Sequence, residues 1–139
     1  SMGDWLPIHV GALVLVAAIF GGMLFFMALF APAVFRFLPR ETSAPFMRQL
    51  FPVYFRVMGI VTVLPTLCLL GFPSYRPAAL TLLAVAAVFF AQRYALLPLL
   101  NRRREAGDET GAKALHKLSV VIHLLQWAAV AVTLVRLAA

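Results

Sequence analysis

Four stretches of this chain are long enough and apolar enough to cross a bilayer, and they leave room for little else. A membrane-spanning helix needs about 20 mostly apolar residues. Such segments run over residues 7–31, 54–72, 77–100 and 113–135. In lipid, every backbone polar group must be satisfied inside the protein, so segments of this kind have to be helices. Of 139 residues, 63% are hydrophobic and 12% charged. A soluble domain sits nearer half and a quarter. The reading is an all-α integral membrane protein, a single domain of four transmembrane helices in an up-down-up-down bundle. The formal charge of +7 would suit nucleic acid, but the basic residues flank apolar segments. The expected partner is the lipid bilayer, not nucleic acid. A lone cysteine, Cys68, excludes an internal disulfide.

The breaks between these segments follow from their residues. Trp5 stands where an interfacial aromatic belongs, and Pro32 marks a kink near the exit of the first span. Thr42 or Ser43 can cap a helix, with Pro45 in its first turn. Phe46, Leu50 and Tyr54 then share a face. This spacing predicts a short interfacial helix before span two, with the bend at Pro52. Inside span two, Pro65 frees a carbonyl that Thr62 or Thr66 can satisfy. Gly71 to Ser74 reads as a turn, and Glu105 to Gly111 as a polar loop.

Orientation follows from Lys and Arg. Arg36, Arg40, Arg48, Arg56, Arg102, Arg103, Arg104, Lys113 and Lys117 lie in or beside the two connections on one side. The other side holds Arg76 and Arg136. The basic side is expected to be cytoplasmic, with both termini outside, in the inner membrane of a bacterium. Anionic lipids at the cytoplasmic face are the natural partners of the basic side.

The last segment carries His116, Ser119, His123, Gln126 and Thr133 on one helical face. Such a face is costly in lipid and is expected to look into the bundle. Counting from each span's midpoint places Thr62, Gln92, Arg93 and His123 at a similar depth, together with Met23 and Met27. Arg93 either snorkels to the basic interface or faces the bundle. Met23, Met27 and His116 are a conceivable set of soft metal ligands, with Cys68 and His9 too far toward the opposite side to join them. Methionine also simply fills gaps between helices. The neutral alternative for His123 is a hydrogen bond to Gln92, Thr62 or Ser119. All five acids, Asp4, Glu41, Glu105, Asp108 and Glu109, lie at the edges, which argues against a carboxylate relay. Gly11, Gly21 and Gly22 suit close helix approach or self-association into a homo-oligomer. No phosphate loop, paired carboxylates or activated nucleophile is legible, so no enzyme is expected.

Several stretches together resemble a known family. Gly22-Met23, then Phe35-Arg36-Phe37-Leu38-Pro39-Arg40, then Leu50-Phe51-Pro52-Val53-Tyr54-Phe55 resemble the transmembrane-protein-205-like family, also filed as domain of unknown function 4149. His116 followed by Ser119 matches a pair in its last helix, and His123 stands where the family is expected to carry Asn. The resemblance implies a compact four-helix membrane protein. It assigns Leu38, Pro39, Arg40, Phe51, Pro52 and Tyr54 to loops entering from the basic side. It also implies distant kinship with copper-resistance-D-like proteins, some linked to copper or haem, while eukaryotic relatives are associated with platinum-drug resistance. Three functions remain open at this point. They are transport or tolerance of metal ions or small molecules, a haem- or metal-binding redox protein, and a structural or lipid-interacting protein. No cofactor is expected, with copper or haem as the alternatives.

Overall fold

The computed structural model describes residues 2–139, with side chains from Leu6 onward. The Trp5 side chain therefore lies outside the described residues. All regular structure in them is helical. Span 1 joins α1 (Met2–Phe25), a π-helical turn (Phe26–Phe30) and α2 (Ala31–Phe37). Span 2 is the single helix α3 (Arg40–Leu70). Span 3 follows a 3-10 turn (Pro73–Tyr75) and joins α4 (Arg76–Ala91), a second π turn (Gln92–Leu96) and α5 (Leu97–Glu105). Span 4 is α6 (Glu109–Ala138). Four helices are thus long and apolar enough to cross a membrane, over Leu6–Phe37, Arg40–Leu70, Pro73–Glu105 and Glu109–Ala138.

Each span exceeds the sequence estimate. At about 1.5 Å per residue, roughly 30 residues reach ~45 Å, the full thickness of a bilayer with its headgroups. This length explains the main departure in the first half. No separate interfacial helix precedes span 2, and Pro52 marks no break. The segment around Phe46 and Leu50 is the first part of α3. Neither Thr42 nor Ser43 caps it. Pro39 holds the N-cap position, and its carbonyl accepts from both of their backbone N–H groups, at 2.9 and 2.8 Å. Leu38, the residue before Pro39, is extended, as proline demands of its predecessor, and this ends span 1. Phe51, Pro52 and Tyr54 therefore belong to a helix rather than a loop.

Prolines inside the spans are absorbed in two ways. Pro32 and Pro98 each follow a π turn by two residues. There the N–H groups of Ala31 and Leu97 reach back five residues to the Phe26 and Gln92 carbonyls. Widening the helix one turn early relieves the clash between the proline ring and the carbonyl four residues back. Pro65 lies in unbroken helix. Thr62 and Thr66 do not serve the carbonyl it frees; their hydroxyls donate to the Met58 and Thr62 carbonyls, at 2.6 and 2.9 Å.

The connections are tight. Span 3 turns into span 4 through Ala106–Asp108 alone, shorter than the expected loop. Gly107 takes φ +79, a conformation that favours glycine. Asp108 caps α6 by accepting from the Gly111 N–H at 2.9 Å. Spans 1 and 2, 2 and 3, 3 and 4, and 4 and 1 pack against one another. The four spans thus form a square, with spans 1 and 3 on one diagonal and spans 2 and 4 on the other.

Span 4 buries Ala112, Ser119, His123, Gln126, Val130, Thr133 and Leu137. From Ser119 on, this alternation of three and four residues is the seam of a left-handed bundle. The glycine that matters for packing lies outside span 1. Gly11, Gly21 and Gly22 are exposed with open space at their Cβ positions, so they mediate no packing inside the bundle. Gly59 is buried in span 2, and a Cβ there would sit 2.9–3.0 Å from the Phe90 ring of span 3. Overpacking of this kind costs about 1–3 kcal/mol. We expect Gly59→Leu to lower the thermal midpoint in detergent by several degrees, and Phe90→Ala to restore part of it. Gly22→Ala should be neutral or slightly stabilising. Equal midpoints for Gly59→Leu and wild type would show that spans 2 and 3 do not meet here.

Candidate functional site

Helical period alone puts Tyr54 near the middle of α3 and His123 near the middle of α6. These helices face each other across a diagonal, so a side-chain contact between them must lie on the bundle axis. The two meet there, with the Tyr54 hydroxyl 2.7 Å from His123 Nε2. Either group can be the donor, depending on the imidazole tautomer. His123 is 7% exposed. The expected partners Gln92, Thr62 and Ser119 are not the ones it uses.

Aromatic rings enclose the pair. Phe26, from the first π turn, stacks on Tyr54 with centroids 3.8 Å apart and planes 11° apart. Phe55 and Phe89 approach the imidazole at 6.4 and 6.2 Å between centroids. Phe51 meets Phe26 edge-on. Rings prefer such offset and edge contacts, and an imidazole sealed among them gains packing without water. The chemistry available at this centre is exchange of one uncharged hydrogen bond. Among the described residues, no carboxylate forms an ion pair with it.

Further buried polar groups lie on either side of the pair in spans 2, 3 and 4. Toward the termini lie Thr62, Thr66, Gln126 and Thr133; toward the basic end lie Ser43, Gln92 and Ser119. Gln126 Nε2 donates to the Val85 carbonyl at 3.0 Å, tying span 4 to span 3. Gln126 Oε1, both polar atoms of the Gln92 side chain and Trp127 Nε1 have no hydrogen-bond partner among the described residues. An amide buried without partners costs about 2–7 kcal/mol, depending on the reference state. Two apolar crevices open between spans 3 and 4, of about 680 and 260 Å³, meeting at Val88 and Ile122. Gln126 lines the larger and Gln92 the smaller.

The polar face read from the sequence therefore divides. Ser119, His123, Gln126 and Thr133 are buried with Thr62 and Gln92, whereas His116 is exposed. Arg93 is half-buried, its guanidinium 4.9 Å from the ring centroid of its exposed neighbour Tyr94. Met23 is fully buried in the core with Phe55 and Phe89, and Met27 is half-buried in the π turn. Cys68 is exposed on the outer surface. No group of three or more His, Cys, Asp or Glu able to hold a metal ion occurs among the described residues. The residue pattern sets Tyr54 at the first residue of span 2, and the family resemblance sets it in a motif loop on the basic side; neither pairs it with the histidine. A helix drawn through Pro52 would have set Tyr54 at mid-span.

No curated protein and no solved structure matches the chain. Residues 14–109 match the model of a family described as a domain of unknown function, DUF4149. That stretch takes in most of span 1, all of spans 2 and 3 and the cap of span 4, including Tyr54, Gln92 and Gly59. A match over well more than half of its length establishes that the chain belongs to the DUF4149 family.

Proposed function

We propose that the protein is a small membrane transporter, or tolerance protein, for an uncharged, hydrogen-bonding molecule that moves along the bundle axis. One observation carries this reading. Buried polar side chains recur in spans 2 and 4 from one end to the other, from Ser43 and Ser119, through the Tyr54–His123 contact, to Thr66 and Thr133. All five acids lie outside the middle of the spans, which suits a neutral solute better than a cation. Metal ions are the less favoured cargo, because His116 is exposed while Met23 is sealed in the core.

A second reading has its own observation. The crevices between spans 3 and 4 are apolar and open sideways, and the end that adjoins them carries Arg102, Arg103, Arg104, Lys113 and Lys117. A lipid-interacting protein would hold an acyl chain in such a crevice and an anionic headgroup on those bases. The two readings part on flux. Reconstituted protein should speed the entry of glycerol or urea into liposomes several-fold over protein-free liposomes, measured by stopped-flow light scattering. Equal rates would remove the transport reading and leave the lipid-interacting one.

We also propose the orientation given by the basic residues, with the connection around Pro39 and that around Gly107 in the cytoplasm of a bacterial cell and both termini across the inner membrane. In a Cys68→Ser background, Ser74→Cys should react with a membrane-impermeant maleimide on intact cells. Ala106→Cys should react only after permeabilisation. The reverse pattern would invert the topology.

A further inference from the structure

Near the middle of span 3 stands the amide of Gln92, and near the middle of span 4 that of Gln126. Gln92 is 1% exposed, and neither its Oε1 nor its Nε2 has a hydrogen-bond partner among the described residues. Gln126 is 5% exposed; its Nε2 is spent on the Val85 carbonyl, and its Oε1 is unpartnered among the described residues. Buried side-chain amides are ordinarily satisfied. At this depth of a bilayer no bulk water supplies the partner. Together the three atoms call for two donors and one acceptor.

Both amides line the crevices between spans 3 and 4, Gln126 the one of about 680 Å³ and Gln92 the one of about 260 Å³. The crevices share Val88 and Ile122, so they form one groove from Leu80 to Leu99 of span 3. At the helical rise that is ~28 Å, close to the hydrocarbon thickness of a bilayer. The larger crevice alone has the volume of a small-molecule site, about 300–1,000 Å³. Apart from the two glutamines the lining is apolar, except for Thr81, whose hydroxyl donates to the Pro77 carbonyl of its own helix. Span 3 also widens into its π turn at Gln92 itself, whose carbonyl accepts from the Leu97 N–H. Single π turns of this kind are frequent at functional sites. Arg102 lies ten residues beyond Gln92, ~15 Å at the helical rise, so a headgroup held at the basic end does not reach the amides.

We infer that this groove is a binding site for a long aliphatic chain that carries uncharged hydroxyls, with the hydroxyls held by Gln92 and Gln126. The groove opens sideways, with Leu80, Ala84 and Leu125 of its lining exposed, so such a ligand enters from the bilayer and lays its chain along the apolar wall. Each hydroxyl donates to one glutamine Oε1, and the hydroxyl at Gln92 also accepts from Nε2. An ester only accepts, and it would leave both Oε1 atoms unpartnered. A charged head is costly at mid-depth. The site is distinct from a path through the bundle axis and from the basic end, so it goes beyond both functional readings. A buried amide kept for a ligand lowers stability, a cost that binding sites commonly carry.

Displacement of radiolabelled 1-monoolein from the protein in lauryldimethylamine oxide, a detergent without hydroxyls, tests the inference. Wild type should bind monoolein, with two hydroxyls, at least about tenfold more tightly than octadecene, with none. Oleyl alcohol, with one, should fall between them, and methyl oleate should lie near octadecene. Gln92→Leu should lose at least about fivefold of the preference for monoolein, while its thermal midpoint without ligand equals or exceeds that of wild type, because it removes an unpaired buried amide. Val88→Trp fills the groove where its two parts meet, and it should bind none of the four compounds. A wild type that does not prefer monoolein to octadecene, or a Gln92→Leu variant that keeps the whole preference, would overturn the site. A lower midpoint for Gln92→Leu would show that the amide serves the protein itself, and would overturn it too. Monoolein held as tightly by Val88→Trp as by wild type would put the ligand outside the groove.

Discussion

A polar group buried in a bilayer has no water to fall back on, so it must find a partner in the protein or stand unpaired at a cost of several kcal/mol. The Tyr54–His123 hydrogen bond at the middle of this bundle meets that constraint for an imidazole and a phenol together. Much else is arranged around it. Phe26 stacks on Tyr54 because the π turn rotates that part of span 1 inward, and Phe55 and Phe89 close the imidazole from the sides. Without the pair, both diagonally placed helices would bury a bare polar group. With it, they are fixed in register across the axis.

The same economy appears in how the chain handles its own breakers. Nine prolines stand in 139 residues, seven of them inside α-helices. Here Pro39 and Pro73 start helices, where a missing N–H costs nothing. Pro32 and Pro98 are relieved by π turns just ahead of them. The threonines bond to carbonyls of their own helix, so their hydroxyls are satisfied without pulling the spans apart. Gly59 then lets spans 2 and 3 close on the Phe90 ring. These threonines thus meet their polar obligations locally, while Gln92, Gln126 Oε1 and Trp127 Nε1 stand without a partner among the described residues.

Hydropathy and charge made the architecture legible: four spans, their order and the inward polar stripe of span 4 all follow from residue type and a period of 3.6. What escaped was anything that depends on two segments at once. Proline at 52 signals a bend because its context in a long membrane helix is not local, and a bend there sets Tyr54 at the edge of span 2 rather than at its middle. His116 shares a face with Ser119 and His123, yet it is exposed, because a stripe says nothing about how far the neighbouring spans cover it. Gly11, Gly21 and Gly22 were read as packing residues, whereas Gly59 is the one that packs.

The account depends on His123 being hydrogen-bonded to Tyr54 on the bundle axis, away from water. Nitrogen-15 NMR of the histidine ring in detergent-solubilised protein reads that bond directly. A slowly exchanging His123 is expected, with an Nε2 resonance that shifts on Tyr54→Phe and does not move on Tyr75→Phe. A His123 resonance that exchanges freely with water, or that is indifferent to Tyr54→Phe, would contradict it.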